Sequence, residues 1–114
     1  MTPAELIKWQ WTDYRSFHQS RVNLLLHVVV VPLFLIANVA LVLALLQGNW
    51  TKALVALVVM ALSFAAQGVG HGKEVNPSIP FSSPANAFGR IFIEQWINFP
   101  RYVLSGGWYR ALTG

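Results

Sequence analysis

Six polar residues stand out against an apolar background: His18, Asn23, His27, Gln67, His71 and Glu74. His27 is the most conspicuous, because it lies inside an uncharged run and is followed by Val28-Val29-Val30-Val31. An ionisable group in or beside a membrane is costly, and by default it marks a functional site whose partner has to be found. The simpler alternative is a neutral imidazole hydrogen-bonded to a neighbouring helix. His71 ends a second apolar run, so if the two runs fold back on each other it returns to the level of His27. If that helix continues past Gly70, Glu74 shares a face with His71 at the i,i+3 spacing that lets both approach one metal ion. A solvated pair at a frayed helix end, with Lys73 neutralising Glu74, would look the same. His18 and His27 are separated by about 900° on a continuous helix and would point to opposite sides. They can serve one site only if the chain breaks between them, and Ser20-Arg21-Val22-Asn23 offers a break in which Ser20 or Asn23 caps the following helix. For His18 alone, exposure to solvent is the simpler reading. Three neutral imidazoles with a carboxylate suit Fe(II) or Zn(II), and open positions on such an ion make a site catalytic rather than structural.

Other chemistries find little support. The chain has no cysteine, which excludes disulfides, thiolate metal sites, Fe–S clusters and cysteine nucleophiles. The glycines of Gln67-Gly68-Val69-Gly70-His71-Gly72 follow an apolar helix and lack the Lys-Ser/Thr of a phosphate loop. A Ser-His-Asp triad would have to recruit Asp13, the only aspartate, with no nucleophile elbow to hold a serine. Arg90, four residues before Glu94, gives that glutamate an ordinary helix-surface partner, so a salt bridge is the favoured reading of Glu94.

The elements that must position these residues follow from the distribution of charge. Of 114 residues, 55% are hydrophobic and only 11% charged, against roughly 25% charged in an ordinary soluble domain. So few charges cannot coat a small soluble globule, and so apolar a chain is not disordered. The net charge of +4 comes from eight basic residues spread singly along the chain, which forms no nucleic-acid-binding stripe and suits anionic lipid head groups better. No Asp, Glu, Lys or Arg occurs from Val22 to Thr51 or from Ala53 to Gly72. Leu24 to Leu46 reaches ~34 Å as a helix, enough for a hydrocarbon core of ~30 Å. Residues 53–69 form a shorter second span, with Trp50 as interfacial anchor. The turn formers Gly48 and Asn49 between them predict an antiparallel hairpin. Seven basic residues lie outside it, against Lys52 alone at its tip, so both termini are expected in the cytoplasm. The start Met1-Thr2-Pro3-Ala4-Glu5 does not read as a cleavable signal peptide.

The flanking segments are amphipathic. Phe88, Ile91, Phe92, Gln95, Trp96 and Phe99 recur at three- and four-residue steps, predicting an interfacial helix over 87–99 that Pro100 kinks or ends. A second interfacial helix is expected over 4–18, and the Pro- and Ser-rich stretch 76–84 is an extended loop. The expected fold is therefore a single all-α membrane domain: a two-span transmembrane helical hairpin with amphipathic interfacial helices at both ends.

Taken together, Tyr14-x3-His18-x4-Asn23-x3-His27-x4-Pro32 before the first span, and Gln67-x2-Gly70-His71 with Glu74 and a Pro-rich loop after the second, resemble the 2-hydroxy fatty acid dioxygenases. These are small membrane proteins of fungal fatty-acid alpha-oxidation, with many bacterial relatives known mainly as a domain of unknown function. The similarity runs from about Tyr14 to Glu94. It implies a multi-pass membrane enzyme that uses Fe(II) and O2 to shorten a 2-hydroxy fatty acid by one carbon. The family's histidines carry over to His18, His27 and His71, and its glutamate to Glu74, although members more often place the glutamate four residues after the histidine, where Val75 stands here. Asn23, Gln67 and Lys73 are candidate substrate contacts. A 2-hydroxy acid could chelate iron through carboxylate and hydroxyl, and its oxidation supplies the four electrons that O2 requires, so no nicotinamide or flavin is needed.

The resemblance also implies membrane lipid as partner, no nucleic acid, and residence in a bacterial inner membrane, or in the endoplasmic reticulum of a eukaryote. Self-association is expected of a protein that exposes so much of each span. Two other readings are a non-catalytic hairpin packed against a partner protein and a zinc-dependent lipid hydrolase.

Overall fold

A computed structural model describes all residues, 1–114. The chain is helical from end to end, with no strand. Helix α1 covers Pro3–Thr12, α2 Arg21–Leu46, α3 Trp50–His71, α4 Pro84–Ile93, α5 Phe99–Leu104 and α6 Gly107–Thr113. A 3-10 turn, Tyr14–Phe17, follows α1, and a π turn, Glu94–Asn98, joins α4 to α5.

Each long helix begins at a polar cap. Ser20 Oγ accepts the backbone N–H of Asn23 at the start of α2, and Asn49 Oδ1 accepts that of Lys52 at the start of α3. These caps start the helices at residues 21 and 50, three residues before the spans expected from hydropathy alone. Between them the chain turns at Gly48, whose φ of +66° only glycine adopts without strain. Gly48 N–H bonds the Leu45 carbonyl and Asn49 N–H the Ala44 carbonyl, the paired bonds of a Schellman motif.

Helices α2 and α3 pack along their lengths in opposite directions, with Ser63 Oγ donating to the Val30 carbonyl at 2.6 Å and Gly70 lying against Asn23. Gly70 has no unusual φ; its requirement is space, because a Cβ there would run into Asn23 Oδ1 and come within 3.3 Å of Asn23 Cα. Gly70→Ala is therefore expected to push the helices apart beside His71 and to cost about 1–3 kcal/mol, as overpacking generally does. Thermal unfolding of the purified variant checks this.

Both helices are long and apolar enough to cross a membrane, and their most apolar windows are only 22% and 28% buried. A core helix of a soluble protein would be mostly covered. Leu25, Val29, Leu33 and Ile36 on α2 and Leu54, Val58 and Leu62 on α3 remain exposed.

The amphipathic ends differ from expectation. The N-terminal segment is not one helix over 4–18: α1 stops at Thr12, and the chain breaks after the 3-10 turn, with Gln19 and Ser20 outside any helix. At the other end Pro100 does not terminate the helix. In a regular helix its ring would collide with the carbonyl four residues back. The wider π turn, in which Phe99 N–H bonds the Glu94 carbonyl, absorbs that conflict and lets α5 continue. These end segments pack on the helix pair rather than lying apart from it. Phe92 meets Phe34 at 5.7 Å between ring centroids, Phe99 meets His27 at 5.5 Å, and Trp108 Nε1 donates to the Leu24 carbonyl.

Candidate metal centre

His18 is the residue at which the 3-10 turn ends, and it is buried. Its ring stacks on Tyr14 with centroids 3.8 Å apart, and its Nδ1 lies 2.8 Å from the Tyr14 carbonyl. His27 sits on the second turn of α2, fully buried, with Nδ1 2.9 Å from the carbonyl of Asn23. A carbonyl oxygen only accepts, so in both rings Nδ1 carries the proton. The neutral imidazole then has its lone pair on Nε2. His71 is the last residue of α3, and Glu94 is the first residue of the π turn.

These four side chains converge. Glu94 Oε1 lies 3.0 Å from His18 Nε2, 3.3 Å from His27 Nε2 and 3.9 Å from His71 Nε2. The three imidazole planes stand at 82–89° to one another, so no two of them stack. One potential ligand atom from each residue falls within 4.8 Å of all the others, and the group could hold a metal ion.

The local chemistry fits a cation. His27 Nε2 is buried, is not aligned with any hydrogen-bond partner, and faces a carboxylate oxygen at 3.3 Å. Two lone pairs set against each other in a buried site are unfavourable, and an orphaned buried polar atom costs ~1–3 kcal/mol. A proton or a metal ion between them removes the conflict. With Nδ1 of His18 and His27 committed to backbone carbonyls, the outer hydrogen bonds orient the rings, as they do around bound metals.

Electrostatics keep the carboxylate ready. Burial opposes ionisation of Glu94, but positive charge brought to the Nε2 side of His18, and after it of His27, outweighs burial and holds the carboxyl well below its usual range. Tyr14 Oη donates to the same Oε1 at 3.2 Å. Burial, reinforced by the Glu94 charge, pushes the Tyr14 phenol well above its ordinary value, so it remains a donor. Tyr14→Phe removes this one hydrogen bond and keeps the ring on His18. Metal affinity should fall by ~10-fold, at the low end for loss of a group that orients a ligand; titration against a competing chelator measures it.

The remaining sequence candidates have other positions. Glu74 lies outside the cluster. Helix α3 ends at His71, so the i,i+3 relation of a continuing helix does not apply, and Glu74 turns back to the chain break. It accepts the backbone N–H of Gln19 at 2.8 Å, that of Ser20 with both oxygens, and Asn23 Nδ2 at 2.7 Å. A carboxylate at the N-terminus of α2 is favoured by the helix dipole, and here it holds the break that lets His18 and His27 face each other. Asn23 is fully buried in that arrangement. Gln67 exchanges two hydrogen bonds with Gln95, at 2.9 and 2.6 Å. Lys73 is exposed.

The favoured salt-bridge reading of Glu94 is corrected by Arg90, whose guanidinium donates to the carbonyls of Ile79 and Pro80 and lies over Phe81 and Trp9. The signal for Glu94 was its company: Gln95 and Asn98 are also polar, and all three sit in a segment otherwise apolar enough to be buried.

A cavity of about 390 Å³ opens beside the cluster. His18, His71 and Glu94 form its polar end, and Trp9, Phe17, Phe64 and Ile91 contribute apolar walls. Small-molecule sites commonly have this form, largely apolar with a few convergent polar groups.

The family model described as 2-hydroxy-palmitic acid dioxygenase Mpo1-like matches residues 4–98, a stretch that contains all four convergent residues. The chain belongs to the Mpo1-like family. Comparison with curated proteins and with solved structures yields no match. Within the Mpo1-like match lie α1 to α4 and the π turn, whereas α5 and α6 fall after it. Those last helices nevertheless back the site, since Tyr102 Oη donates to the His18 carbonyl at 3.4 Å and Arg21 Nε to that of Leu112 at 3.0 Å.

Proposed function

We propose that this chain is an integral-membrane, Fe(II)-dependent dioxygenase that shortens a 2-hydroxy fatty acid by one carbon. The observation that carries this reading is the convergence of the Nε2 atoms of His18, His27 and His71 on Glu94 Oε1 at the polar end of an apolar cavity, in a chain of the Mpo1-like family. The overall reaction balances: R–CH(OH)–COOH and O2 give R–COOH, CO2 and H2O. The substrate supplies all four electrons, so no further reductant is required.

Bound Fe(II) would supply the O2 chemistry that protein side chains lack. The protein's part is positioning and charge. His18 and His27 keep their Nδ1 protons on backbone carbonyls, which leaves Nε2 free on the inner side. Glu94 brings one negative charge against a divalent ion, and the remaining positive charge matches the carboxylate of a 2-hydroxy acid. Tyr14 holds Glu94 by its hydroxyl. The aromatic walls give the cavity a largely apolar lining beside the reacting end. In this reading α2 and α3 cross the membrane as a hairpin, and the basic residues outside it place both termini, and the site with them, on the cytoplasmic side.

The test is metal analysis of the purified protein coupled to O2 uptake and product analysis with 2-hydroxypalmitate, under air and under nitrogen. Stoichiometric iron, with O2 consumed in step with release of CO2 and pentadecanoate, is the expected result. Metal-dependent release of free fatty acid from lipid esters without O2 uptake would replace the proposal with a zinc-dependent hydrolase. Absence of any stoichiometric metal would leave a packing module.

A further inference from the structure

On α3, His71 is preceded at three- and four-residue steps by Gly68 and Phe64, and Glu94, at the start of the π turn, is preceded three residues earlier by Ile91 at the end of α4. All of these line the same cavity. Gly68 has an ordinary backbone conformation, and a Cβ built on it would meet nothing within 4 Å. Neither a turn nor a close helix contact therefore requires glycine here, in contrast to Gly70. Gly68 is exposed, and the open space a side chain would fill borders the cavity it lines. The neighbouring Gln67 and Gln95 satisfy each other's amides, so that wall leaves no unpaired polar group facing the space. Phe64, 41% exposed, lines the cavity one turn before Gly68 on the charge-free run of α3. Asp13 and Arg90 also line the cavity.

We infer that Gly68 and Phe64 select the length of the substrate's acyl chain: the tail leaves the metal centre along α3, over the bare backbone of Gly68 and past Phe64 toward lipid. This rests on the dioxygenase reading for the identity of the head group, and it adds the residues that measure the tail. A hydrocarbon tail makes no hydrogen bonds, so its path is set by shape, and one methylene misfitted in an apolar pocket changes kcat/KM by ~10–200-fold. Gly68→Leu places a branched side chain across the track. Phe64→Ala widens its exit.

The test compares kcat/KM for 2-hydroxyoctanoate and 2-hydroxypalmitate in wild type, Gly68→Leu, Gly68→Ala and Phe64→Ala, with bound metal measured on each preparation. In Gly68→Leu the preference for the long over the short acid should fall by ~10-fold or more at unchanged metal content. Gly68→Ala should shift it in the same direction by less, and Phe64→Ala should raise the preference for the longest acids. Equilibrium binding of palmitate, which has no 2-hydroxyl group, provides a readout independent of turnover and should weaken in Gly68→Leu. Wild-type protein that oxidises no 2-hydroxy acid defeats the dioxygenase reading, and palmitate binding then decides the tail path separately. Metal-replete Gly68→Ala and Phe64→Ala variants with the wild-type chain-length preference and wild-type palmitate affinity would overturn the inference, whether or not Gly68→Leu folds.

Discussion

Glu94→Gln is expected to strip the centre of its metal, whereas Glu74→Gln retains it. The two glutamates look alike in the sequence, each close to polar residues at the same end of the molecule, but they hold different partners. Glu94 Oε1 is the point on which three imidazole Nε2 atoms converge. Glutamine keeps the size, removes the negative charge and turns one oxygen into an N–H2 donor. Loss of an orienting group around a metal typically costs 10–100-fold in affinity, and loss of a ligand with its charge should reach at least ~100-fold by the same measure. Glu74 instead accepts three backbone and side-chain donors at the chain break. Its replacement should lower stability by ~1–3 kcal/mol through donors left poorly paired, with metal still bound at low temperature. Metal-to-protein ratios and unfolding midpoints of both variants check this; a metal-free Glu74→Gln beside a metal-replete Glu94→Gln would reverse the assignment.

His27→Ala should abolish both metal binding and O2 consumption. His27 is fully buried, its Nδ1 is tied to the Asn23 carbonyl, and its Nε2 has no protein donor or acceptor aligned with it. A histidine kept only for packing would have both nitrogens satisfied, because leaving one orphaned in the interior is the costly arrangement. Removal of the ring also leaves a void beside Phe99, so a stability loss of ~2–5 kcal/mol accompanies the loss of metal. The two effects separate by measurement. If the apo forms of wild type and His27→Ala are compared at equal folded fraction, metal binding should still differ by ~100-fold or more. Equal metal content in the two proteins would exclude His27 as a ligand.

What the sequence made legible follows from how local each determinant is. The two long helices were evident because absence of charge over twenty or more residues is a property of each segment alone, and their true ends were set by caps, Ser20 and Asn49. His27 and His71 were conspicuous for the same reason, as polar exceptions within those runs. His18 needed a break in the chain, and the capping residue that makes it was visible at Ser20. What holds that break in place, the Glu74 carboxylate some fifty residues away, was not. Glu94 was obscured by Arg90, since helical spacing predicts that the two meet. It does not predict that the Arg90 guanidinium finds the carbonyls of Ile79 and Pro80, nor that a π turn begins at Glu94. Those outcomes depend on tertiary contacts.

The separation of 76 residues between His18 and Glu94 governs when the centre can come into being. During synthesis the hydrophobic pair α2–α3 emerges before α4 is made. The three histidines have then all been made, but the carboxylate that completes the set, and the Phe99 and Tyr102 side chains that pack on His27 and bond the His18 carbonyl, arrive only with the π turn and α5. On the proposed function, the full ligand set for a metal exists only after residue 94 has been made and the π turn has docked.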